Sequence, residues 1–321
     1  MNNYYLGIDI GSVTTKFALL DERLELTGYR YLPTNGRPIK QVQTLLKEVQ
    51  TLVNREASIA RVGTTGSGRY LVGELVGADV IKNEITAHAI ASLHYFPDTN
   101  TIFEIGGQDS KIIIVRDGIV VDFGMNTVCA AGTGSFLDHQ ALRLNINIED
   151  FCREASQSQN PVRIAGRCTV FAESDMIHKQ QMGYSFADIL YGLCKALVRN
   201  YLNNVGLGKE IKSPIIFQGG VAYNQAIVKA FREELGKEIF VPPHHEIMGA
   251  IGAAILAAED IKLTKTATRF RGFEVINTDF TTSSFFCSGC SNQCEIAQLQ
   301  QKEKTIARWG GRCERWDNTP Q

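Results

Sequence analysis

The 321-residue chain lacks several features that would assign it to common classes of nucleotide-binding protein. No G-x-x-x-x-G-K-[ST] loop occurs, which argues against a P-loop enzyme. The glycine pairs Gly66/Gly68 and Gly132/Gly134 lack the third glycine of a dinucleotide fingerprint. The formal net charge of -1 does not indicate electrostatic binding to nucleic acid or to an acidic membrane surface. We therefore expect no nucleic-acid partner.

Long apolar runs are also missing. The best candidate, Gly249 to Ala258, falls well short of the ~20 residues that a membrane span requires. The N-terminus has no basic stretch followed by an apolar segment, so we see no signal peptide. Eight cysteines without such a segment indicate a reducing compartment, where thiols bind metals or clusters more often than they form disulfides. The sequence predicts a cytoplasmic protein without a membrane partner.

Two segments of the chain share a strand, a glycine turn and a second strand, which indicates an internal repeat and two similar lobes. The first runs from Tyr4 to Leu20, and the second from Ile102 to Val115. A shift of 95 residues pairs Ile10 with Ile105, Gly11 with Gly106, Lys16 with Lys111, Asp9 with Glu104 and Thr15 with Ser110.

Both turns are rich in groups that contact phosphates and Mg²⁺. Glycines let backbone N–H groups approach a phosphate without a Cβ in the way. Carboxylates and amides hold Mg²⁺ through water or orient the attacking water. The alternative is a pair of ordinary hairpin turns. The predicted phosphate contacts are Gly11, Ser12, Thr14, Thr15, Lys16, Gly106 and Gly107, and the predicted catalytic residues are Asp9, Gln108 and Asp109.

A third nucleotide element is the segment F-Q-G-G-V-A-Y-N at 217–224. A strand that ends in Gly219-Gly220 and leads into a helix allows close packing against a base or ribose. Asn224 closes the segment. Alone, this signal is weak, because Gly-Gly turns are common.

Two cysteines stand out because each precedes a predicted helix. Cys129 lies in V-C-A-A-G-T-G and Cys168 in G-R-C-T-V-F. A [4Fe–4S] cluster usually takes four thiolates, so two cysteines per chain supply half a cluster and a homodimer supplies the rest. The alternative is that both are buried structural cysteines. Cys152 and Cys194 lie on apolar helical patterns and are predicted to be packing residues.

The composition changes after about residue 262, and residues 263–321 are predicted to form a separate cysteine-rich tail. Its pattern C-x₂-C-x₃-C plus one later cysteine is typical of a four-thiolate site. Zinc, a second iron–sulfur cluster and free thiols all remain open. The cysteines concerned are Cys287, Cys290, Cys294 and Cys313.

The motifs together resemble those of a known family. G-I-D-I-G-S-V-T-T-K, E-I-G-G-Q-D-S-K, F-Q-G-G-V-A-Y-N and G-A-I-G-A-A resemble the nucleotide motifs of the actin/Hsp70/sugar-kinase ATPase superfamily. With the two cysteine motifs, residues 4–262 resemble activators of 2-hydroxyacyl-CoA dehydratases, a group that includes ATPase subunits of benzoyl-CoA reductases. This implies an α/β, two-lobed actin-like fold of duplicated ribonuclease H-like domains. The expected divisions are 1–98, 99–262 with helix 249–258 packing back on the first lobe, and the tail 263–321.

The resemblance also implies a function. It predicts binding of ATP/ADP and Mg²⁺, and one [4Fe–4S] cluster shared by Cys129 and Cys168 of two subunits. A ferredoxin or flavodoxin would donate the electron, and a 2-hydroxyacyl-CoA dehydratase or related reductase would accept it. Two other functions are open: a small-molecule kinase of the N-acetylhexosamine type, and a nucleotide-gated interaction module that carries no iron.

Overall fold

The chain forms two compact units, one of residues 1–87 with 249–321 and the other of residues 88–248. The computed structural model describes residues 3–53, 57–126, 128–166 and 168–316. In these ranges, no helix combines the length and the apolar content that a membrane crossing needs. The sequence placed the lobe boundary at 98/99, whereas the units divide at 87/88.

The N-terminal part of the first unit is a five-stranded sheet with helices. The sheet order is β3-β2-β1-β4-β5, in which β1 pairs antiparallel with β2 and parallel with β4. The elements are β1 (Asn3–Ile10), β2 (Thr14–Leu20), β3 (Leu26–Pro33), α1 (Pro38–Leu52), β4 (Ser58–Thr65), α2 (Arg69–Val76), β5 (Val80–Ile81) and α3 (Glu84–Tyr95), which spans the boundary between the units.

The second unit repeats this sheet and adds more helices. The elements are β6 (Thr101–Ile105), β7 (Ser110–Arg116), β8 (Ile119–Asn126), α4 (Gly134–Arg143), α5 (Ile148–Ala155), α6 (Thr169–Gln181), α7 (Phe186–Asn204), β9 (Ile215–Gln218), α8 (Gln225–Leu235) and β10 (Ile239–Phe240). The strand order is β8-β7-β6-β9-β10, and β6 pairs antiparallel with β7 and parallel with β9. Each strand therefore has a counterpart in the first sheet, as the internal repeat predicts.

The small-residue helix α9 (Met248–Thr264) packs on the first sheet. A Cβ on Gly7 would overlap the carbonyl oxygen of Ala250, and a Cβ on Gly63 would overlap that of Ala253. Backbone-to-backbone contact of this kind is possible only where side chains are absent. The glycines of β1 and β4 thus let the helix lie directly on the sheet.

We predict that Gly252→Ala destabilises the first unit. A Cβ at Gly252 would overlap the carbonyl oxygen of Ala87 in α3. Since backbone must move to relieve this overlap, the free energy of unfolding should fall by about 1–3 kcal/mol. Chemical denaturation measures the change. Glu259→Ala, at an exposed position of the same helix, is the control and should have little effect; an equal loss in both variants would contradict the packing argument.

The cysteine-rich tail folds as part of the first unit. Its strands are β11 (Phe280–Phe286), β12 (Glu295–Gln301) and β13 (Lys304–Trp309), which form an antiparallel sheet in that order. Leu299 and Ala307 share one apolar core with residues of β1 and α1. The sequence analysis treated residues 263–321 as separate, whereas these apolar side chains join the tail to the ATPase unit.

Candidate functional site

The first glycine turn is closed by its own backbone. Gly11 N–H donates to the carbonyl of Thr14 at 2.9 Å. Lys16 Nζ lies 3.0 Å from Asp9 Oδ2, and both side chains are largely buried. The Gly11 N–H is therefore engaged within the turn, which leaves the following residues and Lys16 as the predicted phosphate contacts.

The hydroxyls predicted in this turn differ in accessibility. Thr15 Oγ1 is buried and hydrogen-bonded to Thr34 Oγ1 at 2.9 Å, and Thr34 donates to the Gly11 carbonyl at 2.9 Å. The buried Thr15 hydroxyl therefore stabilises the turn through its hydrogen bond to Thr34. Ser12 is exposed and Thr14 is half-buried, so theirs are the hydroxyls that a ligand can reach.

The second turn repeats the geometry of the first. Gly106 N–H donates to the carbonyl of Asp109 at 3.0 Å. Lys111 Nζ lies 2.9 Å from Glu104 Oε2 and 2.9 Å from Asp109 Oδ2. Gln108, which lies between Gly107 and Asp109 in the turn, is exposed. The acid–lysine pair thus occurs in both units, at the positions that the 95-residue shift aligns.

A buried hydroxyl next to the second turn fits a missing ligand. Among the described residues, Ser110 Oγ finds no hydrogen-bond partner although it is fully buried. A buried polar atom of this kind is costly unless a water or ligand satisfies it. Ser110 is therefore compatible with a nucleotide phosphate or its water shell at this turn.

The Gly-Gly segment after β9 requires glycine. Gly219 has φ +92°, and a Cβ there would overlap the carbonyl oxygen of Ile105. Its N–H donates to the His245 carbonyl at 2.9 Å, and its own carbonyl lies 3.0 Å from His245 Nδ1. Gly220 opens a short 3₁₀ helix. The sequence predicted Gly219 and Gly220, and it favoured a helix-entry or nucleotide-pocket loop for His245, which here hydrogen-bonds to Gly219.

Asn224, predicted as a nucleotide contact, also caps a helix. Its Oδ1 caps α8 by accepting from the N–H groups of Ala226 at 2.9 Å and Ile227 at 3.3 Å. Its Nδ2 is buried, and no described residue accepts a hydrogen bond from it. This amide can donate to a ligand, which fits the predicted nucleotide contact.

Cys129 is held in place by an asparagine side chain. The residue is half-buried, has extended backbone and precedes a 3₁₀ helix of residues 130–132. Asn126 Nδ2 donates to the Cys129 carbonyl at 2.8 Å, and Asn126 Oδ1 accepts from the Cys129 N–H at 3.0 Å. The backbone on both sides of the thiol is thereby fixed.

Cys168 is the N-cap of α6, with extended backbone and a half-buried thiol. The free N–H groups and dipole of a helix start favour negative charge. The preceding Gly166 carbonyl accepts a hydrogen bond from Asn200 Nδ2 of α7 at 2.7 Å. A Cβ on Gly132 would lie 2.9 Å from Asn200 Oδ1. One buried asparagine therefore contacts both cysteine-bearing segments, which sequence analysis did not anticipate.

The second glycine turn is hydrogen-bonded to the helix that follows Cys129. Gly134 N–H donates to the Gly106 carbonyl at 2.9 Å, and Ser135 N–H donates to the Gly107 carbonyl at 2.8 Å. Ser135 Oγ donates to the same carbonyl. The turn predicted to bind phosphate is therefore joined directly to the start of α4, five residues after Cys129.

The two cysteines predicted to be packing residues lie within helices of the second unit, and Cys194 belongs to its apolar core. Cys194 is fully buried in α7, and Cys152 is half-buried in α5. Burial, and then the charge of Glu149, raise the pKa of Cys152 to about 11. Burial raises the pKa of Cys194 well above its ordinary value. Neither forms thiolate readily, in keeping with a packing role.

The tail cysteines lie around the end of β11 and beyond β13. The described residues contain no group of three His, Cys, Asp or Glu side chains placed to hold a metal, so these four cysteines do not form a ligand set here. Cys287 Sγ accepts from Trp316 Nε1 at 3.2 Å and from Gly289 N–H at 3.4 Å. These two bonds, with the charge of Arg315, lower the pKa of Cys287. Cys290 and Cys313 are exposed, and Cys294 is half-buried.

Comparison with known proteins identifies the family. The (R)-2-hydroxyglutaryl-CoA dehydratase activating ATPase of Acidaminococcus fermentans is 32% identical over 260 residues, covering 80% of this chain and 98% of that protein. The activator of lactoyl-CoA dehydratase of Anaerotignum propionicum is 31% identical over 257 residues, covering 80% and 98%.

A solved structure agrees with the sequence relatives. The activator of the 2-hydroxyisocaproyl-CoA dehydratase from Clostridium difficile, with bound ADPNP, superposes with a TM-score of 0.73 at 32% identity, covering 82% of this chain and 97% of that one. The α/β, actin-like ATPase fold expected from the sequence is thereby confirmed. Residues 6–257 match the BadF/BadG/BcrA/BcrD ATPase family, so this chain belongs to that ATP-binding family.

Proposed function

We propose that this protein is an ATP-hydrolysing iron–sulfur activator that passes single electrons to a 2-hydroxyacyl-CoA dehydratase or a related reductase. Two chains would form a homodimer and share one [4Fe–4S] cluster through Cys129 and Cys168 of each. A reduced ferredoxin or flavodoxin would supply the electron. The observation that carries the proposal is the hydrogen-bonded connection between the Gly106–Gly107 turn and the helix that follows Cys129.

The donor set of the second unit suits a cluster. Cys129 and Cys168 are half-buried thiols, so they are accessible to a group shared with a second chain. Each precedes a helix start, where free N–H groups stabilise an anionic cluster. Bound there, the cluster would supply reversible one-electron transfer. The chain's own contribution is to fix both thiols through Asn126 and Asn200.

The nucleotide side of the proposal uses both glycine turns. Ser12, Thr14 and the N–H groups after Gly11 and Gly106 would contact the phosphates. Asp9 and Asp109 would hold Mg²⁺ through water, since carboxylate oxygens suit this ion and each carboxylate lies next to its turn, positioned by a lysine. The exposed Gln108 would orient the attacking water.

Hydrogen bonds connect the proposed nucleotide site at the Gly106–Gly107 turn with the proposed cluster site at Cys129. A phosphate that draws the Gly106–Gly107 turn towards it would also move the carbonyls that accept from Gly134 and Ser135. Movement of the start of α4 changes the position of the segment between Asn126 and α4, which includes Cys129. ATP binding would thereby alter the cluster's surroundings, and hydrolysis would restore them.

Electron paramagnetic resonance tests this coupling on the dithionite-reduced, full-length protein. We expect a [4Fe–4S]⁺ signal whose line shape changes when Mg-ATP or ADPNP is added, and whose iron is removed at a different rate by a chelator when nucleotide is bound. An iron signal that is identical with and without saturating nucleotide would contradict the activator function.

We predict that Ser135→Ala weakens the coupling without weakening nucleotide binding. The variant loses the hydroxyl bond to the Gly107 carbonyl. One hydrogen bond contributes about 1 kcal/mol, so the nucleotide-induced change in the rate of iron removal should shrink about fivefold. Ser174→Ala, which removes a hydroxyl bond to the Val170 carbonyl on α6, is the matched control. An unchanged nucleotide response in Ser135→Ala would argue against this route.

Whether the tail cysteines bind a metal is independent of the cluster proposed at Cys129 and Cys168. Its four cysteines stay predicted ligands of zinc or of a second cluster, although this structure does not gather them, and we derive no step through a tail metal. Zinc and iron analysis of the Cys290→Ser variant against the unmodified protein tests that prediction. Loss of one zinc, or of about four irons, would support it.

A further inference from the structure

A basic cavity of about 580 Å³ opens in the second unit, beside the segment that leads to Cys168. Its volume is in the range of pockets that bind small molecules and cofactors. The backbone of residues 164–166 forms one wall, two residues before the cysteine. The polar side chains that line it are Arg163, Asp175, His178, Lys179, Arg199 and Asn203.

The charges in this cavity are predominantly positive. Three permanent cations, Arg163, Lys179 and Arg199, face one carboxylate. That carboxylate, Asp175, is already engaged, since its Oδ2 accepts from the Ala165 N–H at 2.8 Å. It holds the wall of the cavity in shape. The cations therefore outnumber the acid and give the cavity a net positive charge.

Of the two arginines that line the cavity, Arg199 is fixed by a hydrogen bond to the wall. Arg199 Nη2 donates to the Ile164 carbonyl at 2.8 Å, which fixes the guanidinium against the wall. Burial lowers the pKa of Arg199, the charge of Glu234 raises it, and the charge of Arg163 lowers it. The two guanidinium groups therefore repel each other, and both line the same cavity. An anion between them would relieve that repulsion.

We propose that this cavity binds the phosphate group of a small organic phosphate. Guanidinium groups bind phosphate through paired, charge-assisted hydrogen bonds, which suits Arg163 and Arg199. Lys179 adds a third positive charge, so the site matches a phosphate dianion. The volume leaves room for an organic part beside the phosphate. The site is separate from the glycine turns and does not depend on the proposed electron transfer.

The occupant would contact the segment that carries Cys168. Residues 164–166 line the cavity, and the Gly166 carbonyl is already fixed by Asn200. A bound phosphate would restrain the same segment further. Backbone amides of this wall should then exchange hydrogen more slowly.

Calorimetric titration with inorganic pyrophosphate tests the proposal on the anaerobically purified full chain. About one equivalent of ADPNP per chain is added beforehand to fill the glycine turns without an excess that could enter the cavity, and the buffer contains about 0.15 M salt to suppress non-specific attraction. We expect saturable binding to one site per chain, with slower hydrogen exchange at residues 164–166. Arg163→Gln should weaken binding about tenfold, because it removes one charged hydrogen-bonding group.

The control is Lys237→Gln, which removes an equal charge from an exposed position outside the cavity. It should bind pyrophosphate as the unmodified chain does. Because Arg163 is itself exposed, its replacement should leave the fold intact, and circular dichroism checks this. Three results would each overturn the proposal: no saturable binding to the unmodified chain, equal affinity in Arg163→Gln, or an equal loss in Lys237→Gln.

Discussion

The Cys129→Ser variant is expected to contain at least about tenfold less iron than the unmodified protein, and Cys168→Ser the same. Serine cannot replace a thiolate as a ligand of a [4Fe–4S] cluster without a large loss of affinity. In a cluster shared by two chains, one substitution removes two of four ligands. Iron and acid-labile sulfide assays after anaerobic purification measure the loss.

Cys152→Ser is the matched control for these variants. Cys152 is likewise half-buried and lies in the same unit, but burial raises its pKa to about 11 and it lies within α5. Its replacement should leave the iron content unchanged. The two ligand variants should also lose the dimer, as seen by size-exclusion chromatography, because the cluster joins the chains. Full iron content in Cys129→Ser would contradict its role as a ligand.

ATP turnover in Gln108→Ala is expected to fall about 100-fold, with little change in nucleotide affinity. A residue that orients the attacking water contributes to the chemical step, for which effects of this size are typical. Gln108 is exposed at the second turn, so the substitution should not disturb packing. Steady-state phosphate release gives the turnover rate, and equilibrium titration with ADPNP gives the affinity.

Gln157→Ala serves as the control because Gln157 is another exposed glutamine of the second unit. It should turn over ATP at the normal rate. A loss of ADPNP affinity that matches the loss of rate in Gln108→Ala would place the residue in nucleotide binding instead. An unchanged rate of ATP turnover in Gln108→Ala would show that Gln108 is not a catalytic residue.

The duplicated architecture could be predicted because its signal is local. Each repeat puts an acidic residue, a glycine turn and a lysine within eight residues, and the antiparallel register then fixes which side chains face each other. Asp9 faces Lys16 and Glu104 faces Lys111 as that register demands. The family resemblance added the nucleotide assignment, which spacing alone does not distinguish from ordinary hairpins.

The outer strands of the two sheets were not predicted, because their side chains are mostly outside the core. In β8, Ile119, Val121 and Phe123 are all more than half exposed. The alternation from Val121 to Asn126 is a strand signal that the interpretation of the sequence did not use, and its apolar residues lie on the exposed face of the strand. Its position is set by hydrogen bonds to β7, which the sequence of β8 does not record.

Several features of the site depend on partners far apart in the chain. Gln43 of α1 donates to the carbonyls of Val275 at 3.0 Å and Thr278 at 2.8 Å, which helps to fix the tail on the first unit. Asn200 contacts both cysteine-bearing segments from within α7. Neither side chain is unusual in its local sequence, so only the folded arrangement reveals what it holds.

Iron, acid-labile sulfide and zinc per chain, measured with the EPR spectrum of the dithionite-reduced protein, test whether two chains share one cluster. We expect about two irons and two sulfides per chain with a [4Fe–4S]⁺ signal, since one cluster of four irons serves two chains. Any metal in the tail would add to this as zinc or as about four further irons. A protein purified under strict exclusion of oxygen that hydrolyses ATP but contains no iron would contradict the account and favour a small-molecule kinase.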